Sequence, residues 1–88
     1  MLTPAYTKQF EHDIRQMKKR GKNLEKLKII IRSIVAEEAL DRIHRDHKLI
    51  GNWKGRCECH IESDWLLIYI VETDKVIFER TGTHSDLF

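Results

Sequence analysis

Four of the five histidines lie between residue 44 and the C-terminal tail, near acidic and basic side chains. His47, His60 and His84 are accompanied there by Asp64 and Arg80. A histidine ring can accept or donate a proton near neutral pH, and arginine presents a rigid fork of donors to a phosphate. RNA cleavage without a metal needs a base for the 2′-hydroxyl, an acid for the leaving 5′-oxygen and a cation for the phosphate. These residue types therefore suit such a reaction.

Zinc binding is an alternative use of the same region, because Cys57, Cys59 and His60 follow His44 and His47. The C-x-C-H spacing is not the usual one for zinc ligands, and successive residues of a strand point to opposite faces. We interpret the two cysteines as reduced structural thiols, and we expect neither a metal nor a cofactor.

Aromatic and basic side chains near the histidines could position a substrate. An aromatic ring can stack on a splayed RNA base, and a basic side chain can contact its phosphate. The predicted substrate-positioning residues are Phe88, Trp65, Arg56 and Lys54. Simple burial is the competing interpretation for Trp65, since it opens an apolar strand, and for Trp53.

Two helices are predicted in the first part of the chain. One apolar stripe recurs at helical spacing, at Tyr6, Phe10, Ile14 and Met17. Thr7 can cap this helix, although Thr3 followed by Pro4 offers an earlier start. Gly21 is suited to end it. His12 would then be a helix-surface residue.

A second helix is predicted to begin after Asn23, which can cap it. Its apolar stripe comprises Leu24, Leu27, Ile31, Ile34 and Val35. The short connection makes the two helices an antiparallel hairpin.

The remaining sequence predicts a loop over residues 40–55 and then strands with a period of two. Strands are expected over residues 57–62, 65–71 and 76–80, joined by turns at 63–64 and 72–74. We therefore predict an α+β fold in a single domain over residues 1–88, with an N-terminal helical hairpin packed on a small antiparallel β-sheet. In a regular strand Arg80 would lie on the same face as Val76 and Phe78, because these residues are two positions apart. The sequence does not decide which face of the sheet that is.

Charge is unevenly distributed, although the formal net charge is only +2. Residues 1–56 contain 14 Lys and Arg against 7 Asp and Glu, whereas residues 57–88 contain 2 against 7. The basic part is compatible with a polyanionic partner, but composition alone favours the alternative that these charges only solvate two helix faces. No apolar stretch is long enough to span a bilayer and no signal peptide opens the chain, so we expect a cytoplasmic protein with no membrane partner.

Ordered motifs from residue 46 to residue 88 resemble the YafQ-type toxins of the RelE/ParE superfamily. The matching segments are Asp46–Leu49, Gly51–Gly55, His60, Asp64–Trp65, Leu67–Tyr69, Phe78–Ser85 and Leu87–Phe88. Pro4 falls where these toxins have a short N-terminal strand. Proline is tolerated at a sheet edge, so we expect that strand to be short or absent.

The resemblance implies an mRNA interferase of a type II toxin–antitoxin system, which cuts messenger RNA in the ribosomal A site without a metal. By this similarity His60 and Asp64, with His47, would lie on the side of the general base. His84 would be the general acid and Arg80 would hold the phosphate. Phe88 would position the nucleotide base or the terminal segment, and the products would be a 2′,3′-cyclic phosphate and a 5′-hydroxyl.

The partners implied by the resemblance are the ribosome with its mRNA, and a small antitoxin of the DinJ/RelB kind. Operator DNA would be bound only through the toxin–antitoxin complex. Two alternatives remain at this point: a toxin of the same superfamily that acts without RNA cleavage, like the gyrase poisons, and a basic binding module. The histidine and aspartate set argues against the first of these, because a toxin that only binds its target has no use for paired proton-transfer groups.

Overall fold

The computed structural model describes the backbone of residues 1–88 and every side chain except that of Asn52. In chain order the elements are β1 (Thr3–Tyr6), α1 (Lys8–Lys19), α2 (Leu24–Val35), a 3-10 turn (Arg42–His44), β2 (His47–Lys48), a second 3-10 turn (Gly51–Trp53), β3 (Cys57–Glu62), β4 (Trp65–Val71), β5 (Lys75–Gly82) and α3 (His84–Leu87). None of the helices described is long and apolar enough to cross a membrane.

The predicted caps define the ends of the helical hairpin. The Thr7 side chain accepts a hydrogen bond from the Phe10 N–H at 2.9 Å, and the Asn23 side chain accepts one from the Glu25 N–H at 3.0 Å. After α1, Gly21 takes a φ of +81°, a conformation that costs glycine little. The prediction of a capped helical hairpin is therefore confirmed.

The sheet has the strand order β1-β5-β4-β3-β2. Strands β3, β4 and β5 form the predicted antiparallel meander. The prediction of an antiparallel sheet of three strands was incomplete, because β2 pairs with β3 and β1 runs parallel to β5. Strands of two and four residues are too short to leave a clear periodicity in the sequence.

The N-terminal strand also corrects the predicted first helix. Thr3 and Pro4 belong to β1 and not to a helix, and Pro4 is accommodated because β1 is an edge strand. Tyr6 belongs to β1 as well, so it is not part of the α1 stripe. Its ring stacks on those of Phe10 and Phe78, with centroids 5.8 and 5.5 Å away.

The two faces of the sheet have different coverings. Both long helices pack on one face, where Phe10, Met17 and Leu27 meet the apolar side chains of β3, β4 and β5. On the other face, Leu66 and Ile68 of β4 are covered by three side chains from the second 3-10 turn, its flanking loop and α3. These are Trp53, Leu49 and Leu87. This second face carries the polar side chains considered below.

A β-bulge in β5 decides which face Arg80 takes. Tyr69 pairs with Phe78, but its neighbour Ile68 pairs with Arg80, which leaves Glu79 as an extra residue. Because directly paired residues share a face, Arg80 lies on the second face with Ile68, opposite to Phe78. The sequence parity that Arg80 shares with Phe78 is broken by this bulge.

Trp65 is a buried core residue, so the prediction that it positions substrate was wrong. Its side chain is fully buried on the helical face, and its Nε1–H donates to Thr81 Oγ1 at 2.9 Å. The Thr81 hydroxyl donates in turn to the Leu66 carbonyl at 2.7 Å. A ring enclosed in this way cannot stack on a nucleotide base.

Replacing Trp65 by phenylalanine is expected to lower the free energy of unfolding by about 1–3 kcal/mol. The smaller ring leaves a gap in the core and removes the hydrogen bond to Thr81. Urea unfolding followed by circular dichroism measures the loss. Trp53→Phe is the matched control, because Trp53 is only half-buried, and a loss there as large as that at Trp65 would contradict the prediction.

Candidate active site

His60 lies on β3 opposite Leu66, with its side chain on the second face of the sheet. Only 9% of its surface is exposed, and its Nδ1 atom is buried with no hydrogen-bond partner among the described residues. Burial lowers the pKa of His60 below its ordinary value. The ring is therefore neutral at physiological pH, and its unprotonated nitrogen can accept a proton.

His84 opens α3 and is paired with Asp64 in the turn between β3 and β4. One Asp64 carboxylate oxygen accepts from the His84 backbone N–H at 2.9 Å and from its ring Nδ1 at 2.5 Å. These two hydrogen bonds lower the pKa of Asp64, and the one from the backbone has the larger effect. The carboxylate thus stays ionised, fixes the Nδ1–H tautomer and leaves Nε2 of His84 for chemistry.

The second element of support for His84 is the short helix itself. The Thr83 side chain accepts from the Asp86 N–H at 3.2 Å, while Asp86 accepts from the Thr83 N–H at 2.9 Å, which is a capping box. Arg20, the residue that follows α1, donates to both oxygens of Asp86 at 2.6 and 3.1 Å. The hydrogen bond from Arg20 is the main reason that the pKa of Asp86 lies far below its usual range.

His60 and His84 lie side by side, with ring centroids 5.8 Å apart. The structure thus brings together three of the five residues predicted to be catalytic. Asp64 had been grouped with His60, but its hydrogen bonds go to His84. A proton acceptor and a carboxylate-held histidine therefore stand next to each other at one end of the sheet.

Arg80 lies on the same face, at the edge that β1 leaves uncovered. Its Nε and Nη2 groups donate to the two carboxylate oxygens of Asp13 on α1 at 2.8 and 3.3 Å. Asp13 was not among the predicted site residues, although one acidic residue between Phe10 and Met17 on an otherwise apolar helix face was an available signal. Asp13 is only 3% exposed.

A cleft beside Arg80 contains one of the four predicted substrate-positioning residues, Arg56. It is lined by Trp53, Arg56 and Arg80, among others. Arg56 pairs with Glu79 and lies 5.9 Å from the centre of the Trp53 ring. Phe88 is 60% exposed and packs edge-on against Trp53. Lys54 is exposed on the same loop.

The two loop histidines are held at the margin of this site. His47 is half exposed, with Nδ1 2.5 Å from the Arg45 carbonyl and Nε2 3.5 Å from a Glu58 carboxylate oxygen. His44, which sequence left without a role, hydrogen bonds through Nδ1 to the His60 carbonyl at 2.7 Å. His47 therefore meets the site through Glu58, on the second face of β3.

The cysteines lie on the other side of β3. Cys59 is fully buried among core residues of the helical face, and burial raises its pKa well above the usual range of a thiol. His60 faces the opposite way, so Cys59 and His60 cannot bind one ion together. Among the side chains that the structure describes, no group of three His, Cys, Asp or Glu is arranged to hold a metal.

Comparison with known families gives a match over almost the whole chain. The model of a family described as YafQ, a bacterial toxin of type II toxin–antitoxin systems, matches residues 2–88. The mRNA interferase toxin YafQ of Escherichia coli K12 is 42% identical over 85 residues, covering 94% of this chain and 91% of that toxin. A putative YafQ toxin of Haemophilus influenzae is 35% identical over 91 residues, covering 96% and 89%.

Solved structures give the same result. YafQ in the E. coli DinJ–YafQ complex superposes with a TM-score of 0.93 at 37% identity, covering 100% of this chain and 99% of that one. A copper-bound mutant toxin of Helicobacter pylori superposes with a TM-score of 0.95 at 38% identity, covering 100% of both chains. The α+β arrangement of a helical hairpin on a sheet is thus shared with these toxins.

Proposed function

This chain belongs to the YafQ family of bacterial type II toxins, and we propose that it stops translation by cutting messenger RNA on the ribosome. It is an endoribonuclease, an mRNA interferase. The observation that carries the proposal is the placement of a neutral, buried His60 beside His84, which is itself paired with Asp64. The ring centroids of the two histidines are 5.8 Å apart. A base and an acid at this separation can flank one phosphodiester.

His60 is the general base. Its ring is kept neutral by burial, so it can take the proton of the 2′-hydroxyl as that oxygen attacks the adjacent phosphorus. The His60 carbonyl accepts a hydrogen bond from His44, which helps to fix the strand at this point. His47 lies at the margin of the site and contributes through its contact with Glu58.

His84 is the general acid. Asp64 accepts a hydrogen bond from its Nδ1–H and fixes the orientation of the ring, so Nε2–H points outward to the leaving 5′-oxygen. The bond from phosphorus to O5′ breaks as the bond from O2′ forms. The proton from the 2′-hydroxyl goes to His60 and that of His84 goes to O5′, which gives a 2′,3′-cyclic phosphate and a 5′-hydroxyl.

Arg80 stabilises the charge that builds on the phosphate in the transition state. The neighbouring cleft then receives the adjoining nucleotides. Arg56 and Lys54 would contact the phosphate backbone of the RNA, and the exposed Phe88 would stack on a nucleotide base. This arrangement needs no metal for any of the proton transfers.

The partners are inferred from the charge of the chain and from its membership of the YafQ family. The basic first part of the chain meets ribosomal RNA, where phosphate contacts supply most of the affinity. A small antitoxin of the DinJ/RelB kind neutralises the toxin, as the E. coli DinJ–YafQ complex suggests, and operator DNA is bound only through that complex. We propose a cytoplasmic location, because the ribosomes and messenger RNA on which the protein would act are found there.

The proposed function is tested by mapping the 5′ ends of cellular mRNA after brief expression, with and without active translation. New ends that keep the reading frame and require translation are the expected result. Cuts that persist on free mRNA would contradict the ribosome dependence. Intact transcripts accompanied by DNA damage would overturn RNA cleavage and favour the gyrase-poison alternative.

The pH dependence of cleavage should show the lowered pKa of His60. A general base must be unprotonated, so the rate falls as the pH decreases through the pKa of His60. Because burial lowers this pKa from 6.5, we expect the acidic limb of the rate profile to lie below pH 6.5. Single-turnover cleavage on preformed ribosome complexes measures it, and a midpoint at or above 6.5 would contradict the assignment.

A further inference from the structure

We propose that Asp13 is a positioning residue for RNA cleavage, which aims the guanidinium of Arg80 at the scissile phosphate. The inference rests on the proposed function, because it takes Arg80 as the group that stabilises the phosphate. It adds a residue from α1, 67 positions away from Arg80 in the chain, to a site otherwise assembled from the sheet, its loops and the C-terminal helix.

The carboxylate of Asp13 is nearly saturated with donors. Besides the two hydrogen bonds from Arg80, it accepts one from the Thr81 backbone N–H at 3.1 Å and one from Gln9 Nε2 at 3.1 Å. A carboxylate that is only 3% exposed is costly to bury unless its charge is paired and its oxygens are hydrogen bonded. Asp13 is therefore held in one place, and Arg80 is held with it.

The geometry of the pair leaves the useful edge of Arg80 available. Nε and Nη2 face Asp13, so the side edge of the guanidinium is occupied. Because the group is planar and has five N–H donors, both Nη1 hydrogens and the second Nη2 hydrogen are directed away from Asp13. These end-on donors are the ones that form a bidentate contact with a phosphate.

The orientation places those donors on the substrate side. Arg80 keeps 27% of its side chain exposed and lines the cleft with Arg56 and Trp53. On the sheet it pairs with Ile68, which pairs in turn with Glu58, two residues before His60. Without Asp13 the long side chain of Arg80 would sample several rotamers, and the fixed charge in the transition state would be lost.

A double-mutant cycle tests the proposal, using antitoxin-free toxin and preformed ribosome complexes. Asp13→Asn keeps the size of the side chain and removes its charge. We expect it to lower kcat by roughly 10- to 100-fold with little change in KM, and Arg80→Ala to lower kcat by about 100-fold or more. In the Arg80→Ala background, Asp13→Asn should produce almost no further loss.

The outcomes separate this proposal from the proposed function. If Arg80→Ala retains cleavage, the assigned role of Arg80 fails and the positioning role fails with it. If Arg80→Ala is impaired while folded Asp13→Asn cleaves at the wild-type rate, only the role of Asp13 is overturned. Additive losses in the double variant would also overturn it, because Asp13 would then act independently of Arg80.

A spectroscopic measurement covers the case in which Asp13→Asn folds poorly. The Arg80 Nε–H should give a protected resonance in a ¹⁵N NMR spectrum of the wild-type toxin, because Asp13 shields it. Arg80→Lys provides a second variant, since lysine can pair with Asp13 but cannot present a fork to the phosphate as well. We expect Arg80→Lys to lose most of the activity, and near wild-type cleavage or a freely exchanging Nε–H would contradict the proposal.

Discussion

Replacement of His84 by alanine is expected to reduce the rate of mRNA cleavage by roughly 100- to 10,000-fold, the range that general acid–base groups contribute. The leaving 5′-oxygen then has no positioned proton donor. The side chain of His84 is 54% exposed, so its removal should cost little stability. Growth inhibition should disappear while the folded protein still binds its cognate antitoxin.

The neighbouring Ser85→Ala is the matched control for that experiment. Ser85 is exposed on the same short helix and is not one of the proposed catalytic groups, so we expect the rate to be unchanged. Asp64→Asn should give a smaller loss than His84→Ala, because the acid remains but is no longer held by a carboxylate. Full toxicity of the His84→Ala variant would remove His84 from the mechanism.

Regular periodicity explains which parts of this fold were predictable. The stripes of α1 and α2 are long enough to show a helical repeat, and the residues that cap them, Thr7 and Asn23, act within three positions in the chain. The apolar run of β4 likewise indicates a central strand without help from its neighbours. Such signals are local, so the sequence contains all of the information they need.

The elements that were missed depend on contacts between distant segments. β1 is a strand because β5 offers it a parallel partner, and β2 is a two-residue pairing within an irregular loop. The bulge at Glu79 also cannot be predicted from the alternation of residues along the strand. It nevertheless moves Arg80 to the face that carries His60. A single extra residue thus decides whether the arginine faces the core or the site.

Residue types identified the candidate site more readily than they did its internal pairing. The ordered motifs gave the resemblance to the YafQ family, and chemistry indicated histidine, aspartate and arginine. They did not show that Asp64 would hold His84, because that contact depends on where α3 begins after β5. Burial separates Trp65 from the exposed Phe88 in the same way, since two aromatic residues look alike until their neighbours are known.

The variant His60→Gln tests the other proton-transfer group, and it should also reduce single-turnover cleavage by roughly 100- to 10,000-fold. Glutamine keeps a polar side chain of similar length but cannot accept the 2′-hydroxyl proton at neutral pH. The residual rate should lose the acidic limb that the wild-type toxin shows. His84 remains in place, so any pH dependence that survives belongs to the acid.

Cys57→Ala is the matched control on the same strand. Cys57 is half-buried and shares β3 with His60, but its side chain lies with the helical core. A disturbance of the strand would affect both variants, whereas loss of a general base affects only His60→Gln. Equal activity of the two variants at neutral pH would show that His60 is not the base, and the half-exposed His47 beside Glu58 would then be the next group to replace.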